Sequence, residues 1–273
     1  MEIAGNAVLV TGANRVLLQN RNAVIYGGGG AIGGAVARVF ARDGARVFLA
    51  GRTPARLDAV AADIVAAGGS VETARVDVFD QRAVERHADA VAAKAGSIDI
   101  ALNAVSIMHD QGTTLENLSL EEFMRPIDGF LRTLFITSKA VIRHMGGKRP
   151  GVILTLSEPG SQLAIPGILG HSASGAAREA FSRVLAAELA PKNIRVVCIR
   201  PHAISDAPAA GSYTRELFGE SPEEAMAGMA EGTLLKRLPT LAEVADTIAF
   251  LASDRAGAMT GTVANLSVGA LVD

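Results

Sequence analysis

Tryptophan is absent from the 273 residues, and only two tyrosines, five histidines and one cysteine occur. A single thiol, Cys198, excludes an internal disulfide framework and a zinc cluster of several thiolates. It lies mid-strand in an apolar run and reads as a buried structural thiol. Neither sign of charge is in excess: 26 Lys and Arg face 28 Asp and Glu, a formal net charge of −2. No electrostatic feature therefore points to nucleic acid. Long uninterrupted apolar runs are missing too. The charge-free stretches 23–37, 159–177 and 256–272 are broken by Gly, Ser, Pro or Thr, and none reads as a membrane span. Met1-Glu2-Ile3-Ala4 shows no basic region leading into an apolar run, so no secretory signal is expected and the expected compartment is cytoplasmic. What is plentiful is core material: 49% of the residues are hydrophobic and 20% charged, which excludes a disordered chain.

Short β-branched runs alternate with longer Ala-rich amphipathic ones. Strands are predicted at 23–26, 46–50, 71–76, 98–102, 152–156, 194–199 and 262–266. Helices are predicted at 31–42, 54–66, 81–94, 172–189 and 241–252, with a long helical region over 120–145. This alternation argues for parallel strands joined by right-handed crossovers. The strands are near-continuous apolar runs, as expected when helices cover both faces. The expected fold is therefore α/β: one doubly wound, Rossmann-type domain with a parallel sheet of about seven strands. Residues 1–22 read as an N-terminal extension, 23–273 as the dinucleotide-binding domain, and 205–238 as a loop-rich, lid-like insert. Within the extension, Val8-Leu9-Val10-Thr11-Gly12-Ala13-Asn14-Arg15 resembles a nucleotide-binding strand and turn. It then lacks further glycines, and reads as an edge strand or arm.

The strongest local signal is Gly27-Gly28-Gly29-Gly30-Ala31-Ile32-Gly33-Gly34, set between a strand and an amphipathic helix. Glycines there make the turn, admit a pyrophosphate to the backbone and let the helix pack close to the strand. The helix N-terminus adds open N–H groups and a positive dipole end. At the end of the second strand, Gly51-Arg52 stands where an acidic residue would bind the ribose hydroxyl of NAD. Arg52 can pair with a 2′-phosphate instead, which favours NADP(H) over NAD(H).

Over residues 23–270 the chain resembles the short-chain dehydrogenase/reductase family. The resemblance is carried by the glycine loop, Val76-Asp77-Val78, and Asp99-Ile100-Ala101-Leu102-Asn103-Ala104. It continues in Ser172-Ala173-Ser174-Gly175 through Glu188-Leu189 and in Ala245-Asp246 through Asp254. It implies an oxidoreductase with a small-molecule substrate, a carbonyl or alcohol, and a homotetramer or homodimer. It also implies a cofactor site at Gly27, Gly30, Ile32, Gly33, Arg52, Asp77, Val78, Asn103 and Ile204. Gly27, Gly30 and Gly33 meet the Gly-x-x-Gly-x-x-Gly spacing of the family's extended and atypical members.

The family's catalytic Asn, Ser, Tyr and Lys are not matched. Register puts Phe130 at the Asn position, Glu158 at the Ser position beside Ser157, His171 at the Tyr position and Gly175 at the Lys position. Pro201-His202 replaces the Pro-Gly pair after the sixth strand. Neither Tyr26 nor Tyr213 has a lysine four residues on. A phenol titrates near about 10 and must be stabilised by roughly 4 kcal/mol to serve near neutrality, whereas an imidazole starts near about 6.5. His171 as proton carrier, oriented by Glu158 and with Ser157 alongside, is the expected catalytic set. A catalytically silent cofactor-binding homologue, and a non-redox lyase or isomerase using Glu158 and His171, are the alternatives. His109 and His202 are expected in loops near the same crevice, where Glu158, Asp110 and Asp206 could complete a metal site. No paired spacing supports one, and no metal is expected. His87 and His144 are expected on helix surfaces.

Overall fold

A computed structural model describes residues 16–147, 149–207 and 221–272. The echo at 8–15 and Tyr213 lie outside the described residues. Strands β1 (Asn22–Tyr26), β2 (Arg46–Gly51), β3 (Ser70–Arg75), β4 (Ile100–Asn103), β5 (Gly151–Leu156), β6 (Ile194–Pro201) and β7 (Thr262–Leu266) make one sheet in the order 3-2-1-4-5-6-7. Every neighbouring pair is parallel.

Helices cover both faces. α1 (Ala31–Arg42), α2 (Pro54–Ala66) and α7 (Leu241–Ala252) pack on one side, burying Phe40, Leu57 and Ile248 against Ile25, Leu102 and Leu154. α3 (Gln81–Ala95), α4 (Leu120–Val141) and α5 (Leu169–Leu189) pack on the other, around Val24, Ile153 and Val196. The doubly wound reading is therefore observed. Strand order reverses between β1 and β4, and the crevice outside their carboxyl ends is where such sheets bind ligands. Residues 16–21 join the domain: Leu18 is fully buried in the first core, and Arg21 pairs with Asp254. Among the described residues no helix is long and apolar enough to cross a membrane.

Some local expectations change. The 205–238 segment includes a ten-residue helix, α6 (Pro222–Glu231). Its signal was present as a capping box, Ser221 with Glu224, and a proline in the first turn. α4 stops at Val141, so His144 sits in the turn beyond it, 2.7 Å from Asp89. α5 starts at Leu169 and takes His171 into its first turn. His87 is no surface residue. Val84, His87, Ala88 and Val91 share the sheet-facing stripe of α3, and the His87 ring lies edge-on to buried Tyr26 with Nδ1 3.4 Å from its hydroxyl. Burial pushes the His87 imidazole down to about 4 and the Tyr26 phenol up. Cys198 is buried as expected, and burial raises its thiol.

Candidate active site

The glycine loop leaves β1 through Gly27, whose φ is +82°. A Cβ there would stand 2.5 Å from the carbonyl oxygen of Ala104 at the end of β4. At Gly33 a Cβ would collide with the carbonyl of Gly27. The loop and the first turn of α1 are thus pressed together as only glycine allows. Gly30 caps α1 without a side-chain hydrogen bond, and no acidic residue lies in the first turn. The helix N-terminus is left open for an anion. These features fit a dinucleotide pyrophosphate.

At the end of β2, Arg52 is exposed. Arg56, in the first turn of α2, closes on the loop from above: a Cβ on Gly29 would lie 2.9 Å from Arg56 Cβ. No ion pair engages either arginine among the described residues, so two cations flank the loop where only Arg52 was anticipated. Asp77 follows β3, its carboxylate accepting from the Phe79 amide, and Val78 is buried beside it. Asn103 is tied down at both ends: its amide donates to Thr137 and its oxygen accepts from the Val105 amide. Ile204 is buried beyond β6.

A small cavity of about 180 Å³ opens between the ends of β4 and β5 and the start of α5. Ile32 and Asn103 line it on the glycine-loop side, and His109, Glu158, His171 and Arg178 on the other. His171 Nε2 lies 3.2 Å from Glu158 Oε2, and His171 Nδ1 lies 2.8 Å from His109 Nε2. The two rings are within 14° of parallel. His109 Nδ1 is 2.7 Å from the carbonyl of Ile107.

Those partners assign the protons. A backbone carbonyl only accepts, so His109 carries its proton on Nδ1. Burial, with the neighbouring His171, pushes His109 down to about 4, so its Nε2 is a bare acceptor at neutral pH. That Nε2 takes the Gln111 side-chain amide at 3.0 Å and faces His171 Nδ1.

His171, Gly175 and Arg178 lie one and two turns apart on one face of α5. At Gly175 a Cβ would collide with Glu158 Oε1. The missing side chain at 175 and the long acid at 158 are one change: Glu158 fills the space a residue at 175 would need. Arg178 is buried with its guanidinium 4.2 Å above the Phe130 ring. Its Nε donates to Ser174 O and its Nη1 to Leu156 O. Its Nη2 comes only within 3.8 Å of Glu158 Oε1, and both of these buried atoms lack a hydrogen-bond partner.

Ser157 is engaged elsewhere. It donates to Glu179 at 2.7 Å, as does Ser161, and Glu179 takes Arg200 in a bidentate bond at 2.8 Å. Burial raises the Glu179 carboxyl, but the bonds from Arg200, Ser157 and Ser161 outweigh it and hold it low. Ser157 lines the cavity with its proton committed to a carboxylate that stays ionised. His202 does not join the cluster. It turns back so that Nδ1 accepts from the Ala203 amide, and burial lowers it. Among the described residues no group of three His, Cys, Asp or Glu could hold a metal. His109 was placed near the crevice by its loop, but its bond to His171 was not legible. Arg178 was missed, although its spacing of seven from His171 marks the same helix face.

A family model described as enoyl-(acyl carrier protein) reductase matches residues 29–270. A 3-oxoacyl-(acyl-carrier-protein) reductase of Chlamydia muridarum is 32% identical over 254 residues, 93% of this chain and 98% of the relative. A probable galactose dehydrogenase of Rhizobium meliloti is 32% identical over 89% of this chain and 92% of its own. Among solved structures, a short-chain dehydrogenase from Burkholderia cenocepacia in complex with NADP superposes with a TM-score of 0.79 at 26% identity, covering 93% of this chain and 99% of that one.

Proposed function

Because this chain belongs to the short-chain dehydrogenase/reductase family, we propose that it is an NADP(H)-dependent oxidoreductase of a small carbonyl or alcohol in which His171 and Glu158 replace the family's tyrosine. The observation that carries this reading is the juxtaposition of His171 with Glu158 and His109 at the wall of the cavity. The cofactor, when bound, supplies the hydride chemistry. Backbone N–H groups of Gly27 to Gly33 and the α1 N-terminus hold its pyrophosphate. Arg52 and Arg56 hold the 2′-phosphate, and Asp77 and Val78 border the adenine. Asn103 and Ile204 flank the nicotinamide end.

His109 orients His171 through its Nδ1, which leaves Nε2 on the side of Glu158. His171, backed by Glu158, carries a proton to a carbonyl oxygen or takes one from an alcohol. Ser157 lines the cavity and donates to Glu179. The cavity volume suits a substrate well below drug size.

A second reading is a cofactor-binding homologue without redox chemistry. It is favoured by the engagement of both His171 ring nitrogens within the protein. Titrating the full chain with NADPH and NADH by fluorescence, then following NADPH oxidation across a panel of small ketones, separates the two. The oxidoreductase reading expects tighter NADPH than NADH binding and turnover of at least one ketone. Tight NADPH binding with no turnover by any panel member favours the silent homologue, and no binding of either cofactor defeats both.

A further inference from the structure

Glu158 has a neighbour on each side, and only His171 has a part in the reaction so far. The face of α5 that presents His171 also presents Gly175, one turn on, and then Arg178. The Glu158 carboxylate lies across the empty middle position. A Cβ on Gly175, or on Gly160, would run into it. Its Oε2 lies 3.2 Å from His171 Nε2, and its Oε1 lies 3.8 Å from Arg178 Nη2.

The Glu158 side chain is only 14% exposed, and Oε1 has no hydrogen-bond partner. The two glycines hem the group in but give that oxygen no donor. A carboxylate edge left open in such a setting is costly unless a cation faces it. Arg178 is that cation, and it is fixed without help from Glu158. Its Nε donates to Ser174 O, its Nη1 donates to Leu156 O, and its plane rests on the Phe130 ring. Glu179, the next residue on α5, does not compete for it, because Arg200 takes both Glu179 oxygens. At 3.8 Å, opposite charges shielded from water attract without a hydrogen bond. We propose that Arg178 is a positioning residue: by holding the Oε1 edge of Glu158 it aims Oε2 at His171, with no need to touch the substrate. Its effect on turnover rests on the oxidoreductase reading, but its hold on Glu158 does not.

The experiment has an unfolding arm and a turnover arm, both on the full chain carrying Arg178→Met, Glu158→Gln, or the two together. In urea, Arg178→Met should lower the midpoint clearly when Glu158 is present and much less when Glu158→Gln has removed the charge. Additive midpoints overturn the proposal whether or not a substrate is found. Should Arg178→Met alone not fold, adding Glu158→Gln should restore folding, and failure of the double variant to fold overturns it too. In turnover of a small ketone with NADPH, Arg178→Met should lower kcat at least tenfold with KM and NADPH affinity within twofold of wild type. Arg178→Lys, which keeps the charge, should recover part of that loss. In the Glu158→Gln background Arg178→Met should change kcat by less than twofold. An equal loss in both backgrounds, or a rise in KM in place of the fall in kcat, overturns the proposal while leaving the oxidoreductase reading intact. Coupled unfolding with no turnover of any ketone upholds the hold of Arg178 on Glu158 and defeats the oxidoreductase reading instead.

Discussion

Glu158 and Gly175 are fitted to each other, and the fit can be measured. A methyl group at 175 would run into the Glu158 carboxylate. Gly175→Ala should therefore cost about 1–3 kcal/mol, the usual range for overpacking. In a Glu158→Ala background the same change should be close to neutral or stabilising, since alanine is the better helix former. Urea unfolding of the four proteins of the cycle checks this, and additive effects would show that the two positions are independent. His87 and His109 make a second residue-level claim. Each is pushed to about 4 in the folded protein, chiefly by burial, below the unfolded value of about 6.5. Between those values the unfolded chain binds more protons. The contribution of each histidine is thus fully present above about pH 6.5 and is lost as pH falls toward about 4. Unfolding measured from pH 7 down to pH 4.5 should show this loss, and His87→Leu should flatten it. A stability unchanged over that window would contradict the assigned burial.

At the scale of elements, the first βαβ unit is where cofactor choice is decided. Arg52 at the end of β2 and Arg56 at the start of α2 flank the glycine loop without ion-pair partners. Replacing both with alanine should lower NADPH affinity by about 10- to 100-fold, the equivalent of one or two charge-assisted hydrogen bonds. NADH affinity should barely move. Fluorescence titration of both cofactors checks it, and a parallel loss of both would mean that the arginines act on the fold. This unit was also the most legible part of the chain, because strand, glycine turn and helix follow one another within a few residues. The α6 segment reads as loop in sequence because Gly228 with Met226 and Met229 blurs the apolar stripe, although Ser221 and Glu224 announce its start. Outside such local signals legibility ends. His171 and Glu158 could be counted into place by register. The His109–His171 bond joins residues 62 apart in sequence, and the Arg200–Glu179 bond joins a strand to a helix 21 residues earlier. Neither has a periodicity that would reveal it.

The whole molecule gathers its unusual groups at one place, the carboxyl edge of the sheet where strand order reverses. β4 delivers the His109 loop, β5 delivers Ser157 and Glu158, and α5 delivers His171, Arg178 and Glu179. The Glu179–Arg200 pair, with its two serine donors, ties α5 to β6. Elsewhere the described residues form an ordinary doubly wound sheet. The decisive measurement is the NADPH-dependent turnover of His171→Ala beside its NADPH affinity. Loss of proton transfer should lower kcat by about 10²–10⁴-fold while the affinity for NADPH stays within twofold of wild type. Turnover in His171→Ala equal to that of the wild-type protein would contradict the assignment of proton transfer to His171.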